Sequence, residues 1–469
     1  MKTEIILVFD IGKTNKKILL FNRELKIIHE EEQKFEEISD DDGFACDDIS
    51  KIEEWILETC GKLLIDESYR LIGINFTTYG ATIMYIDEKG RRLTPVYNYL
   101  KPMPEGIVES LYMKNGGIEE FCRKTASPAL GMLNSGLQCL WLKTQKKKVF
   151  KKVRYIMHFP QYLSSILTGE VSSEHTSIGA HTALWDFDDM KYHDWIADKG
   201  LKLPDPIPVE TTFQARRIES PVPVGIGIHD SSASLVPYFR HSADPFILIS
   251  TGTWCINMNP FNNTPLTTEQ LSRDCLAYLS IRQKPVKSSR IFLGHIHDIN
   301  IKLLSDYFQV PGDTYKTIDV DINLLHSLIK KDLNKNVFFS EGMPEDFVER
   351  GVNLSRFENF GEAYHRFMID LTDLVAVSIG LIIEGNDDTE DLYITGGFAR
   401  NLLFVCLIAS RFCDKKVYTS EVANSTSLGT ALVIWKSLGL EEEPVIDLGL
   451  KLIKPIKEIS LGSTQTTGW

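Results

Sequence analysis

Hydrophobic positions along the chain fall into short blocks separated by polar turns, and two of those blocks open similar units. Residues 5–9 (Ile-Ile-Leu-Val-Phe) form an unbroken apolar run, the pattern of a strand covered on both faces. The run ends at Asp10, turns through Gly12, Lys13, Thr14 and Asn15, and returns as the apolar residues 18–21. Glycine at such a turn lets the backbone bend and bare its N–H groups. A carboxylate, a glycine and a hydroxyl on one tip can hold a metal-bound phosphate, with Asp10 directed at magnesium. An ordinary hairpin with a polar turn has the same pattern, so this stretch alone leaves both readings open. Gly12-Lys13-Thr14 also mimics the end of a P-loop, but Leu7 stands where that motif needs its first glycine.

Roughly 240 residues later the pattern recurs. Residues 246–249 are apolar, Ser250-Thr251-Gly252-Thr253-Trp254 makes a polar turn, and a second strand returns. The repeat predicts two similar lobes, residues 1–240 and 241–469. Phosphate cradled between two such tips is a far more specific arrangement than either hairpin alone.

Between the hairpins, residues 25–29 predict a third strand, and the acidic stretch 30–48 a solvated loop or face. Ile52, Trp55, Ile56, Cys60 and Leu63 recur at helical spacing. Residues 71–77 predict a strand ending at Thr77-Thr78-Tyr79-Gly80, where Gly80 admits either a substrate or a structural turn. Residues 92–99 read as a strand, residues 105–148 as two or three helices, and residues 154–159 as a short strand. A helix over 161–167 should open at Pro160 and stop at Gly169. The proline-rich section 203–223 reads as a loop.

The segment Val224-Gly-Ile-Gly227-Ile-His229-Asp230-Ser231 brings a strand to a turn and then to a helix start. Asp230 is there either an N-cap or a general base, two roles that compete for the same oxygens. In the second half, helices are expected over 299–308, 322–333 and 360–384. Asp391 to Asn401 reads as strand, double glycine and helix start, and Gly396-Gly397 would let a flat nucleoside lie against the backbone. A last helix begins at Ser425, with Gly429 allowing close packing. His295 and His297 suit a polar loop or a substrate contact better than a metal, since alternate residues of one strand lack a third ligand.

Composition narrows the function classes. The 469 residues suffice for two domains, and 43% hydrophobic with 25% charged residues is ordinary for a globular protein. A net charge of −13 argues against non-specific nucleic-acid binding, yet leaves ATP open because amides and a metal bind phosphate locally. No stretch has the form of a signal peptide, and the longest apolar run, around 374–383, is too short to cross a bilayer. The eight cysteines show no zinc-ligand spacing, Cys406 and Cys413 read as core residues, and a reducing cytoplasm is expected.

Asp10-x-Gly12-x-Thr14, Gly227-x-His229-Asp230, Ser250-Thr251-Gly252-Thr253-Trp254 and Gly396-Gly397, in this order over nearly the full length, resemble the FGGY family of carbohydrate kinases. Gly-Thr-Trp at the second tip and His before Asp230 are most similar to its L-rhamnulose and L-fuculose kinase branch. The resemblance implies an α/β fold of two ribonuclease-H-like, actin-like ATPase lobes around a cleft. It implies ATP and Mg2+ as cofactors, transfer of the γ-phosphate to C1 of a ketose, and no partner beyond sugar and nucleotide, with room for a homodimer. By that resemblance Asp230 is the catalytic base, Gly80 and His229 contact sugar, and Asp10 serves the metal. Gly12, Lys13, Thr14, Asn15, Thr251, Gly252, Thr253, Gly396 and Gly397 would then serve the nucleotide. The family usually has Thr-Thr-Ser after Gly12, where this chain has Lys13, Thr14 and Asn15. Kinases of xylulose, ribulose or glycerol, a non-kinase actin-like ATPase and a silent sugar sensor are the alternatives. The ATPase would carry an added peptide-binding or polymerising region, and none is visible.

Overall fold

The run at residues 5–9 lies in strand β1 (Thr3–Ile11) of the computed structural model. The structure describes residues 2–332, 335–340, 342–344, 346–348, 351–383, 387–422, 424–440 and 442–456. β1 pairs antiparallel with β2 (Lys16–Phe21), and β2 with β3 (Ile27–Gln33). After helix α1 (Ile49–Ile65), β4 (Tyr69–Thr78) lies parallel to the other edge of β1. Helix α2 (Phe159–Thr168) carries Pro160 in its first turn and ends at Gly169 in the left-handed conformation. Two short strands, β5 (Pro223–Gly225) and β6 (Ile228–His229), then run parallel to β4. Helix α3 (Asp230–His241) leads out of this sheet.

The second sheet repeats that order. β7 (Phe246–Thr251) pairs antiparallel with β8 (Cys255–Asn259), while β9 (Cys275–Leu279) and β10 (Pro285–Ile291) extend that edge. Helices α4 (Leu293–Phe308) and α5 (Phe360–Gly380) follow. On the other edge β11 (Asp391–Gly396) runs parallel to β7, and after helix α6 (Leu402–Arg411) β12 (Lys416–Thr419) runs parallel to β11. Helix α7 (Ser425–Ile434) and the edge strand β13 (Lys451–Ile453) end the described chain. Three antiparallel strands in the first sheet and four in the second, each continued by parallel strands, give two similar lobes as the two hairpins predict, on the ribonuclease-H-like plan that the resemblance implies.

Both opening strands are covered on two sides, which is why their sequences are continuously apolar. Ile5, Leu7 and Phe9 face the layer of α1 and α2, whereas Ile6 and Val8 face α7. Ile247 and Ile249 likewise face α5, and Phe246 and Leu248 face α3. Helix α3 serves both sheets: Ala233 and Val236 pack toward the first, Leu235 and Tyr238 toward the second.

Helix α7 returns from the second sheet to pack on β1 and β4 and alongside α3. Pro237 inside α3 has no N–H, so the Ala233 carbonyl loses its helical partner. Gly429 of α7 passes directly over that carbonyl, where any Cβ would overlap its oxygen. The buried Asn75 of β4 adds a bond, donating from Nδ2 to the Thr430 carbonyl of α7 at 2.8 Å.

Several local expectations differ from the structure. Residues 92–99 form no strand beyond one bridge from Ile86 to Arg92, because Pro95 cannot donate to a ladder. The acidic stretch 30–48 is not simply a solvated face: Asp40 and Asp47 are buried, paired with Lys101 and Lys16 at 2.6 and 2.8 Å. Residues 212–214 of the expected loop form an edge strand against β5. His295 and His297 lie on helix α4, not on a strand; Gly294 in its first turn weakened the helical signal. Cys413 is exposed rather than in the core, since α6 stops at Arg411. The ends expected for two helices, Leu333 and Glu384, lie outside the described residues.

Candidate active site

Parallel pairing in the first sheet brings three strand ends level. Asp10 of β1 stands opposite Thr77 of β4, and Thr78 stands opposite both Ile11 and His229. Asp230 follows immediately as the first residue of α3, with His229 at the N-cap position. The helix is therefore not capped by the Asp230 side chain. Its Oδ1 instead accepts from the Ser231 backbone N–H at 2.6 Å and faces His229 Nε2 at 3.2 Å. The carboxylate keeps about a third of its surface, yet burial pushes its pKa up to about 6.

Asp10 has the same character for a related reason. Burial pushes it up to about 6; the Ser427 hydroxyl, donating to Oδ2 at 2.6 Å, opposes this, and the Asp230 charge adds to it. Two neighbouring carboxylates that resist ionisation suit a divalent cation, whose charge would relieve both. Ser427 was not singled out in the sequence, and nothing in its local pattern marks it as a partner of Asp10.

Gly80 lies beside these groups: a Cβ there would stand 3.0 Å from His229 Nε2 and 3.7 Å from His181 Nε2. Burial pushes His229 down to about 4, so the imidazole is neutral at physiological pH. His229 is fixed from behind by Thr176 Oγ1, which accepts its backbone N–H at 3.1 Å and is itself bonded to the buried Glu174. His158, His181 and Tyr278 also crowd this side and were missed from sequence, since each comes from a distant segment. His158 is buried with both ring nitrogens unpartnered, and the Tyr278 ring of β9 sits 6.0 Å from that of His229.

The first tip carries Gly12, Lys13, Thr14 and Asn15, closed by a bond from the Gly12 N–H to the Asn15 carbonyl at 2.9 Å. Lys13 is neither a free cation over the tip nor a solvated side chain. Its Nζ pairs with Glu37 at 3.0 Å and Asp47 at 3.1 Å. Beneath it, the fully buried Lys16 bonds both Asp47 and the Lys13 carbonyl, and Tyr79 donates to Asp47 at 2.7 Å. Burial works to raise Asp47, but Lys16, Tyr79 and Lys13 outweigh it and hold the group below the ordinary carboxylate range.

The second tip repeats this closure, with the Gly252 N–H bonded to the Trp254 carbonyl at 2.9 Å. Thr251 stands opposite Gly396 in the register. Gly396 has φ +89°, and a Cβ there would overlap the Thr251 carbonyl, so only glycine fits. Thr251 Oγ1 donates to the Thr395 carbonyl and accepts from the Phe398 N–H at 3.0 Å, and Gly397 opens the turn between them. Thr253 accepts the Gly294 N–H at the start of α4. His295 stacks on Phe292, which stacks on Trp254, while His297 is buried among Tyr315, Tyr364 and Phe398. The two histidines thus have separate packing roles.

Arg290 of β10 lies over the Trp254 ring at 5.3 Å, and its charge reaches His181 across the cleft. Strand-end carboxylates, two glycine-bearing tips and a helix shared by both sheets are a set of parts that can serve phosphoryl transfer.

Comparison with known proteins agrees. Residues 5–202 match the N-terminal domain of the FGGY family of carbohydrate kinases, and residues 243–311 match the FGGY C-terminal domain. The chain belongs to the FGGY family of carbohydrate kinases. It is accordingly a phosphotransferase with an alcohol group as acceptor, in a family that uses ATP. The chain is similar to a rhamnulokinase from Halalkalibacterium halodurans, 23% identical over 92% of this chain and 93% of that one. It is also similar to an L-fuculokinase from Haemophilus influenzae, 22% identical over 93% and 96% of the two chains. Among solved structures, a carbohydrate kinase from Novosphingobium aromaticivorans shares its fold, with TM-score 0.78 and 24% identity over 97% and 95% of the chains. A ligand-bound xylulose kinase from Lactobacillus acidophilus does so too, with TM-score 0.74 and 16% identity over 96% and 94%. Among the described residues no helix is long and apolar enough to cross a membrane.

Proposed function

We propose that this FGGY kinase transfers the γ-phosphate of ATP to the C1 hydroxyl of a 6-deoxy-ketohexose, L-rhamnulose or L-fuculose. The observation that carries the reading is Asp230 at the N-terminus of α3, beside Gly80 and His229 and within the field of Asp10. As the sugar oxygen bonds to the γ-phosphorus and the bond to ADP breaks, the hydroxyl proton passes to Asp230. His229 and Gly80 shape the sugar side. Amides and hydroxyls of Lys13, Thr14, Asn15 and Thr253 hold the phosphates, with Gly12, Thr251 and Gly252 shaping the two tips, and Gly396-Gly397 lies by the nucleoside. Asp10 would hold Mg2+, which when bound neutralises phosphate charge. The choice among ketoses draws on the rhamnulokinase and L-fuculokinase relatives. Eight unpaired cysteines suit a reducing cytoplasm, the setting proposed for the enzyme.

A coupled ADP-release screen over L-rhamnulose, L-fuculose, L-xylulose, D-xylulose, D-ribulose and glycerol tests the substrate. The highest kcat/KM is expected for one of the first two. Asp230→Asn should bind ATP normally but lose about 10²–10⁴-fold in turnover, the usual worth of a general base. Near-normal sugar-dependent turnover in that variant would remove Asp230 from the chemistry.

A further inference from the structure

The segment that presents His181 is built with more constraint than a loop needs. His181 and Ala183 both have positive φ, +44° and +63°, a conformation that L-residues adopt at a cost of about 1–3 kcal/mol each. Several distant groups hold it there. Asn134 Nδ2 donates to the His181 carbonyl at 2.9 Å, the Gly136 N–H to the Thr182 carbonyl at 2.8 Å, and the Ala183 N–H to Ser127 Oγ at 3.0 Å. Gly179, two residues earlier, abuts Leu279 of β9, so the segment is also braced against the second lobe. Backbone strain that the surroundings over-determine is characteristic of residues whose side chains must be aimed.

The aim is toward the sugar side of the cleft. His181 Nε2 lies 3.7 Å from where a Cβ at Gly80 would stand, and His229 Nε2 lies 3.0 Å from the same point. Two imidazole nitrogens thus lie within 4 Å of one point beside Gly80, where the glycine contributes no side chain. His181 Nδ1 is sealed from solvent, which leaves Nε2, the nitrogen beside Gly80, as the one a ligand can reach. Burial first, then His229 and Arg290, push the group down to about 4, so it is a neutral acceptor or donor at working pH. A polyhydroxylated ligand can supply Nε2 with a hydrogen-bond partner.

We infer that His181 Nε2 hydrogen-bonds a hydroxyl of the sugar opposite His229, which makes His181 a residue that positions and selects the substrate. This rests on the reading of Asp230 as the base of a sugar kinase. Asparagine tolerates positive φ, so His181→Asn preserves the turn, and His181→Gln serves as a second variant. Steady-state kinetics of the wild type and both variants, with the best sugar from the screen and with its monodeoxy analogues, read the effect. The sugar KM should rise about 10- to 100-fold, the cost of one unmade hydrogen bond in a polar site, with kcat and ATP KM within about threefold. One deoxy analogue should lose heavily with the wild type and hardly at all with the variants. An unchanged sugar KM in both variants, a parallel rise of ATP KM, or equal losses on every analogue would overturn the assignment while leaving the kinase reading intact. A wild type that phosphorylates no sugar or polyol would take both down.

Discussion

The Ser427 hydroxyl donates to Asp10 Oδ2 at 2.6 Å, tying the strand-end carboxylate to a helix 417 residues further along the chain. This bond stabilises the ionised form of Asp10 against the burial that raises it. With Asp10 and Asp230 both at about 6, activity should fall as pH drops through about 6, where each carboxylate takes up a proton. Ser427→Ala should move that acid limb to higher pH. The plateau above it should fall by no more than about 10-fold, the scale of one hydrogen bond. A profile of kcat/KM against pH measures both.

Asp230 should cost the fold stability at neutral pH. Its native pKa of about 6 lies above the ordinary 3.8, so the folded state binds the proton more tightly than the unfolded one. The stability this confers is fully present below the unfolded pKa and is lost as pH rises through the native value. Asp230→Asn should therefore raise Tm at pH 8 and lose that advantage near pH 4, even as turnover collapses. Thermal melts of both proteins at the two pH values check the sign.

Gly429 of α7 lies directly over the Ala233 carbonyl of α3, and these two helices hold Ser427 and Asp230. Gly429→Ala would force the helices apart at a cost of about 1–3 kcal/mol, the range for overpacking a core. Urea unfolding should show the loss of stability. Because both helix N-termini shift, kcat should fall more than either KM rises.

Lys13 and Lys16 separate two roles that look alike in sequence. Lys13→Met should leave ATP KM within about threefold and cost no more than about 1 kcal/mol, since its ammonium already engages Glu37 and Asp47 and is partly exposed. Lys16→Met strips a buried partner from Asp47, at about 3–5 kcal/mol, and releases the Lys13 carbonyl. Its ATP KM should rise as the first tip loosens. Denaturant titration with ATP kinetics on the two variants distinguishes them.

Much of the fold was legible because local chemistry encodes it. Strands covered on both faces must be apolar throughout, so residues 5–9 and 246–249 announced the centres of two sheets. The polar turns at Gly12 and Gly252, the His229-Asp230 turn and the double glycine at 396–397 are each a few residues long, and every part of each signal lies within them. The same locality explains the misses. Pro95 broke a strand that its neighbours promised, and Gly294 hid the first turn of α4.

What the sequence determined by itself is the repeat of strand, glycine tip and strand, and with it the family resemblance. Only the tertiary structure decided that Ser427 would meet Asp10, that Lys16 and Asp47 would be buried under the first tip, and that His181 would face His229 across Gly80. Those pairs are separated by tens to hundreds of residues and carry no periodicity. They exist because parallel strand ends are brought level and because α7 returns across the first sheet. Asp10, where the first hairpin begins its turn, is pushed up by burial and held back by a hydroxyl on a helix its own neighbourhood could not foretell.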